Sequence, residues 1–546
     1  MSISGTGSVQ GATASQALAL GALDAGVRFV AGYPGSPATG TLEALLRRVG
    51  EQLPVEWAIN EKSAFDAAVG ASLAGLRALV CLKSVGLNVA LDSLMAANLA
   101  AGEGGLVLLV GDDPGAWGSQ NEEDSRLLAA AAELPLLEPV SPEDCRFLMA
   151  YAFELAERVA LPVVVRITHA LAASRVGRLE APARSPVPRP PCFPGDRGRY
   201  VVLPANVVER HRRLHVALEK ARQEFEASPF NQQGGAGRRG VIAAGFAAHK
   251  LAQVLAAAGE PALPVLALGT LHPLPQDRML GFLRELEAAL VLEETAPFVE
   301  AAVQALAQRA RLTLPILGRA SRHLPKAGEL SSLDMVPALG ELLPGTAWPE
   351  LEPPRRQMPS REELCSDCPY IPAFEALLAA MEGFGGREAF IITGEPGCMV
   401  RAQLPPWELL DVKYAMGSSI GLGAGLARAG TKRRVVALAG DSALLHSGLG
   451  ELIDAWQWGV PLTVLVLANE TTALSGGQPH PASSRALRGR AREPVDLERL
   501  IRAIGVAAVK VVGPCDQEAM QEALVQAMGS ERLAVVIARG PCPRYV

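Results

Sequence analysis

The chain has 546 residues, too many for one hydrophobic core and enough for about three or four domains. A formal net charge of -6, with 49% apolar and 20% charged residues, describes a globular protein and gives no reason to expect nucleic acid or an anionic membrane as a partner. No run of about 18 apolar residues is free of charges or breaks, the amino-terminal stretch has no basic region leading into an apolar one, and eight cysteines are too few for a disulfide scaffold; a cytoplasmic protein is expected, in which grouped cysteines point to metal or redox work.

Residues from about 10 to 180 alternate helical and strand-like patterns. ASQALALGALDAG has the periodicity of a helix ending at Gly26, VRFVAGYPGSP reads as a strand entering a Gly/Pro loop, and RALVCLKS, GGLVLLVGDDP and LPVVVRIT read as buried strands. That alternation predicts a parallel sheet with helices on both faces. A Pro-rich stretch and a charged helix, VVERHRRLHVALEKARQEFEA, precede a second α/β pattern, and PGTAWPELEPPRRQMPSREE leads into a third. The expected fold is α/β: three doubly wound parallel-sheet domains at 1–185, 239–345 and 365–546, joined by linkers at 186–238 and 346–364.

In the last segment, RRVVALAG is a buried strand ending at Gly440-Asp441-Ser442, and 26 residues separate Ser442 from Asn469 at the end of the next apolar strand, PLTVLVLA. Open α/β sheets bind ligands outside the carboxyl ends of their strands. Asp441 brings a carboxylate there, Asn469 an amide oxygen, and the backbone near Thr471 a carbonyl. Mg²⁺ takes a few such hard oxygens together with substrate phosphates. The amides of Gly440–Ser442, at a helix start, suit a diphosphate. Gly-Asp alone ends many strands; the spacing to Asn469 is the more specific feature, and it resembles the thiamine diphosphate (ThDP) motif. Four cysteines also form a pattern: the pair Cys365 and Cys368 in CSDC, Cys398 in GEPGCM after a strand, and Cys542 between two prolines in RGPCP. An iron–sulfur cluster, a Cys₄ zinc site and four unrelated structural thiols are all open on the residues alone.

GYPGSP (32–37), NEKSAFDAAVGASLAG (60–75), VGLNVALDSL (85–94), DDPGAWGSQNEEDSR (112–126), GDSALLHSG (440–448) and TTALSGGQPHP (471–481) occur in collinear order. Together they resemble the large (alpha) subunit family of indolepyruvate:ferredoxin oxidoreductases, which are ThDP-dependent 2-oxoacid:acceptor oxidoreductases. The resemblance implies a pyrimidine-binding domain, a transketolase C-terminal-like domain and a diphosphate-binding domain, with ThDP held between the first and last. It implies that Glu61 is the catalytic acid at the pyrimidine N1′. At helical spacing Glu61 also shares a face with Phe65, Ala68, Val69 and Ser72; the plain reading is a solvated Glu at a helix start. Met416, or Ile420, would be the apolar wedge holding ThDP bent, and ordinary core is the alternative for both. The loops at Tyr33, Pro34 and Gly35 and at Gly86, Leu87 and Asn88 would face the thiazolium and substrate. Gly476 and Gln478 would join Gly440, Asp441 and Ser442 around the cofactor, with Asp441, Asn469 and the Thr471 carbonyl on Mg²⁺. Related 2-oxoacid:ferredoxin oxidoreductases place Cys residues in the order of Cys365, Cys368, Cys398 and Cys542 around a proximal [4Fe–4S] cluster.

The implied activity is oxidative decarboxylation of an arylpyruvate-like 2-oxo acid to acyl-CoA and CO₂, with coenzyme A as co-substrate. The family's large subunit usually carries a ferredoxin-like domain with two C-x₂-C-x₂-C-x₃-C-P runs, which are absent here. The expectation is therefore a small gamma-type subunit and a ferredoxin-like subunit or domain on separate chains, in a hetero-oligomer containing a dimer of this chain. Ser84 and Tyr370 stand where the family commonly has His, which leaves the substrate's side chain open. His446 and His480 match family positions, although a lone His is more often structural. A non-oxidative ThDP lyase and a non-catalytic scaffold are the competing readings.

Overall fold

The computed structural model describes residues 9–49, 53–100, 102–179, 190–193, 195, 197–349, 363–484 and 493–545. Two compact units divide the chain, residues 1–358 and 359–546.

The first unit is built on a seven-stranded sheet. In spatial order its strands are Thr270–His272, Leu136–Leu137, Val163–Thr168, Leu106–Asp112, Ala78–Lys83, Phe29–Gly32 and Val55–Trp57. All neighbours run parallel except Thr270–His272, which is antiparallel to its partner. The central strands LVLLVGD and VVVRIT are buried at every position, as parallel strands covered on both faces must be. Strand order reverses between Phe29–Gly32 and Ala78–Lys83, which opens a crevice at their carboxyl ends.

A five-stranded sheet shares this unit: Ile316–Leu317, Ala288–Leu292, Arg239–Ala244, Val265–Leu268 and the antiparallel edge Asn231–Gly234. Val80, Leu108 and Val164 of the larger sheet lie in one apolar cluster with Ile242 and Leu266 of the smaller one and Phe282 of the helix Gln276–Arg284. The charged helix Val207–Glu226 is more than a linker. It buries Leu214, Ala221 and Phe225 in the cluster that also holds Leu18 and Phe153. Much of the Pro-rich stretch before it, and residues 350–362, lie outside the described residues.

The second unit is a six-stranded, wholly parallel sheet: Val412–Lys413, Phe390–Gly394, Arg434–Gly440, Leu462–Ala468, Ala534–Arg539 and Ala508–Val512. Its order reverses between Phe390–Gly394 and Arg434–Gly440, so this sheet too has a crevice at the carboxyl ends of two central strands. No helix among the described residues is long and apolar enough to cross a membrane.

Candidate active site

In the first unit the crevice is lined by the ends of three adjacent strands. After Phe29–Gly32 come Tyr33, which is buried, and Gly35, whose amide donates to Thr39 Oγ1 at 2.7 Å. After Val55–Trp57, Asn60 caps the helix Glu61–Leu73 by accepting from the Ser63 amide at 2.8 Å. Glu61 therefore opens the helix, yet it is only 6% exposed, so it is not the solvated helix-start glutamate of the plain reading. After Ala78–Lys83 the chain passes straight into the helix Ser84–Ala97.

This last point corrects the expected loop at Gly86, Leu87 and Asn88. These residues form the first turn of a helix, because Lys83 takes the extended N-cap conformation and no turn residues intervene. Their chemistry still converges with Glu61. A Cβ on Gly86 would stand 2.5 Å from Glu61 Cγ and 2.6 Å from its Oε1, so the absent side chain is what lets the carboxyl lie there. Asn88 donates to Glu123 Oε2 at 3.2 Å and so ties the DDPGAWGSQNEEDSR loop to the same helix. Lys83 packs behind Gly35. Burial pushes its ammonium below the ordinary value, against the pull of Asp113.

In the second unit Asp441 is buried just after Arg434–Gly440, and Asn469 is buried just after Leu462–Ala468. Asp441 accepts from the Ser442 amide at 2.8 Å and the Glu470 amide at 2.7 Å, and Asn469 Oδ1 accepts from the Thr471 amide at 3.1 Å. His480 Nε2 lies 3.2 Å from Asp441 Oδ2 without hydrogen-bond geometry, and this buried nitrogen has no hydrogen-bond partner. Two hard oxygens on neighbouring strand ends, with a buried polar atom left over beside them, are a donor set that fits a magnesium diphosphate. Gln478 closes the loop by donating to the Ser475 carbonyl at 2.9 Å. The left-handed Gly477 lets Tyr545 pack where a Cβ would meet its ring at 2.4 Å. Gly476 is left-handed as well. Ile420 is fully buried and serves as core, whereas Met416 is half-buried before the helix Ser418–Arg428 and keeps an open side. His446 is buried and bonded to Ser447.

The four patterned cysteines line one pocket, which Tyr370, Arg401 and Asn469 also line. Local geometry brings the carboxyl-terminal one there. The Gly540 amide donates to Ala468 O at 3.0 Å and the Cys542 amide to Asn469 O at 3.1 Å, so the proline-boxed turn is pinned to the diphosphate-side strand. Gly540 also lets Pro369, next to Cys368, approach; a Cβ would stand 2.8 Å from Pro369 Cβ. Burial, with the neighbouring thiols adding to it, raises Cys368 and pushes Cys398 up to about 11. Binding a cation must therefore release protons. Four thiolates around one pocket are the donor set of an iron–sulfur cluster or of a Cys₄ zinc. Cys81 and Cys145 are buried with thiols raised by burial, and Cys192 and Cys515 are exposed away from the pattern.

One residue was missed in the sequence. Glu395 follows Phe390–Gly394 at the reversal point and is fully buried. Its Oε1 accepts from the Gly440 amide and its Oε2 from the Gly417 amide, each at 2.7 Å, with Ser419 Oγ at 3.4 Å. Burial outweighs those amides and pushes the carboxyl up to about 8. It joins the Asp441 turn to the residue after Met416. The available signal was an acid directly after an apolar strand, in FIITGEPG.

Comparison with known proteins agrees with this layout. Residues 20–227 match the family described as "Pyruvate flavodoxin/ferredoxin oxidoreductase, thiamine diP-bdg", and residues 397–538 match "Thiamine pyrophosphate enzyme, C-terminal TPP binding domain". Fold and matches together define a thiamine-diphosphate-dependent 2-oxoacid oxidoreductase. "Indolepyruvate oxidoreductase subunit IorA" of Methanothermobacter thermautotrophicus is 34% identical over 97% of this chain and 86% of its own length. The subunit of that name from Thermococcus kodakarensis is 34% identical over 97% of this chain and 85% of its own. The chain belongs to the IorA family. The solved 2-oxoglutarate:ferredoxin oxidoreductase from Magnetococcus marinus overlaps 56% of this chain and 61% of its own at a TM-score of 0.46 and 18% identity.

Proposed function

We propose that this chain is the catalytic subunit of an oxidoreductase that converts an arylpyruvate-like 2-oxo acid, indolepyruvate in the first instance, and coenzyme A into acyl-CoA, CO₂, one proton and two electrons. Thiamine diphosphate would supply the electron sink that makes loss of CO₂ possible. Glu61 would hold a proton at the pyrimidine N1′, its carboxyl given room by Gly86. Asp441, Asn469 and the Thr471 carbonyl would hold Mg²⁺, and the amides at Gly440 and Ser442, with Gly476 and Gln478, the diphosphate. Met416 offers an apolar side to support the cofactor. Tyr33, Pro34, Gly35, Leu87 and Asn88 would line the substrate side.

The observation that carries the oxidative reading is the gathering of Cys365, Cys368, Cys398 and Cys542 around one pocket that Asn469 also lines. A [4Fe–4S] cluster there would accept electrons one at a time. The relatives are named as subunits, which supports a complex with a small gamma-type chain and a ferredoxin-like chain or domain, built on a dimer of this chain. Thiolate ligation suits a reducing cytoplasm.

The test is anaerobic purification followed by cofactor and product analysis. Expected are bound ThDP, about four iron atoms at the cysteine site, and acyl-CoA formed from indolepyruvate with a low-potential acceptor. Glu61→Gln should cut turnover by about 100-fold or more with ThDP retained. Asp441→Ala should lose ThDP, and Cys398→Ser should lose the iron. Zinc at the cysteines, or aldehyde released with no acceptor present, would overturn the oxidative reading in favour of a ThDP lyase.

A further inference from the structure

Away from the active site, the helix Val207–Glu226 carries His211 and His215 one turn apart, the i, i+4 spacing that puts two imidazoles on one helix face. Their ring centroids are 4.5 Å apart. Both Nε2 atoms converge on one carboxylate from another element: His211 Nε2 is 2.6 Å from Glu133 Oε2 and His215 Nε2 is 2.8 Å from Glu133 Oε1. Among the described residues, Glu133, His211 and His215 are the group of three whose ligand atoms all lie within 4.8 Å of one another.

The placement of Glu133 is a second, separate observation. It follows the helix Ser125–Ala131 in a left-handed conformation, φ 54°. Its amide donates to Ala130 O and the Leu134 amide to Ala129 O, each at 3.0 Å, which is the double hydrogen bond of a Schellman cap. Glycine is the low-strain residue at that position. A glutamate there accepts backbone strain while aiming its carboxylate at the two imidazoles. The helix presenting them is fixed by buried Leu214, Ala221 and Phe225, so the donors are held on a rigid face. The neighbouring Arg212 and Arg213 turn instead to Glu209 and leave the group without a competing guanidinium. Side-chain exposures of 49% and 58% for His211 and His215 leave water access for the remaining coordination positions.

We propose that Glu133, His211 and His215 bind a zinc-class divalent ion that clamps the helix Val207–Glu226 to the carboxyl end of the helix Ser125–Ala131. Two imidazoles and a carboxylate form a zinc donor set when water fills the open position. The clamp acts on architecture. The helix it fixes begins next to Asp124 and carries Arg126, which reaches Glu293 near the smaller sheet. It is independent of the ThDP and iron–sulfur reading.

The test is Zn²⁺ titration of the full-length chain, with any co-purifying partners, after chelation, comparing wild type with H211Q/H215Q and E133G. Wild type should bind one more zinc than H211Q/H215Q, and its thermal midpoint should rise with zinc where that variant's does not. E133G relieves the left-handed strain, so without zinc it should be at least as stable as wild type, while its zinc affinity at this site falls by about 100-fold or more. Anomalous diffraction at the zinc edge separates this site from the cysteines and should place an ion about 2.0–2.2 Å from the three ligand atoms. Equal zinc stoichiometry in wild type and H211Q/H215Q, or no anomalous peak at these side chains, would overturn the proposal.

Discussion

In the first unit, Asp112, Asp124, Glu138 and Glu293 lie buried against two guanidiniums, whereas in the second Glu395 lies equally buried against backbone amides. Arg126 reaches Asp124 at 2.6 Å and Glu293 at 2.8 Å; Arg166 reaches Asp112 at 2.6 Å and Glu138 at 2.7 Å. Glu395 has the Gly440 and Gly417 amides and the Ser419 hydroxyl, and its carboxyl is pushed up to about 8. A buried charge must be paired, or the group neutralises itself. The arginine-paired carboxylates join strand ends and loops of the two sheets in the first unit. The amide-held carboxyl keeps its proton near neutral pH, one residue from the Asp441 turn. The same side-chain chemistry is structural in one unit and poised beside the ligand crevice in the other.

The largest effect should come from breaking the paired set. Arg126→Met leaves Asp124 and Glu293 buried with a missing cation, and the loss of unfolding free energy should be about 3–5 kcal/mol. Denaturant unfolding of the purified chain measures it. A loss below about 1 kcal/mol would mean that the network contributes no more than a surface pair.

A smaller, pH-dependent effect should mark the other side of the comparison. The folded Glu395 titrates near 8, above its ordinary value of 4.5. Between those values the unfolded chain has released the proton and the folded chain retains it. The fold thus binds more protons, and stability falls as pH rises through the window, by about 1.4 kcal/mol per pH unit at the steepest, levelling off above about pH 8. Glu395→Gln should lose that slope, so the stability difference between variant and wild type should change with pH across the window by the amount Glu395 contributes. Parallel curves for the two proteins across the window would show that Glu395 does not hold its proton in the fold.

Legibility in the sequence followed the same division. Asp441, Asn469 and the four cysteines announced themselves because each sits at the end of an apolar run or in a short spaced motif. Glu395 sits at such an end too, but its meaning depends on where strand order reverses, and local sequence does not encode sheet order. The ionic network is likewise long-range: Arg126 and Glu293 are 167 positions apart. The strand Asn231–Gly234, NQQG, is polar, and Thr270–His272 is only three residues long, so neither carries the apolar period by which strands are recognised. Thr270–His272 nonetheless attaches a segment assigned to the middle domain to the first sheet. Gly86 and Asn88 misled in the opposite sense, since turn-forming residue types stand inside a helix there for packing reasons.

That packing supplies the smallest perturbation and the most local one. In isolation Gly86→Ala should favour the helix Ser84–Ala97 by up to about 1 kcal/mol. The new Cβ, however, would lie 2.5 Å from Glu61 Cγ. The helix backbone is fixed by its neighbours, whereas a glutamate side chain can rotate, so Glu61 is the group that moves. Stability should therefore change by less than about 1 kcal/mol while turnover falls by about tenfold, because a misplaced acid loses its aligned proton transfer. Steady-state assay and thermal unfolding on one preparation separate the two quantities. Full activity in Gly86→Ala would show that the carboxyl does its work from another position, and would remove Gly86 from the machinery around Glu61.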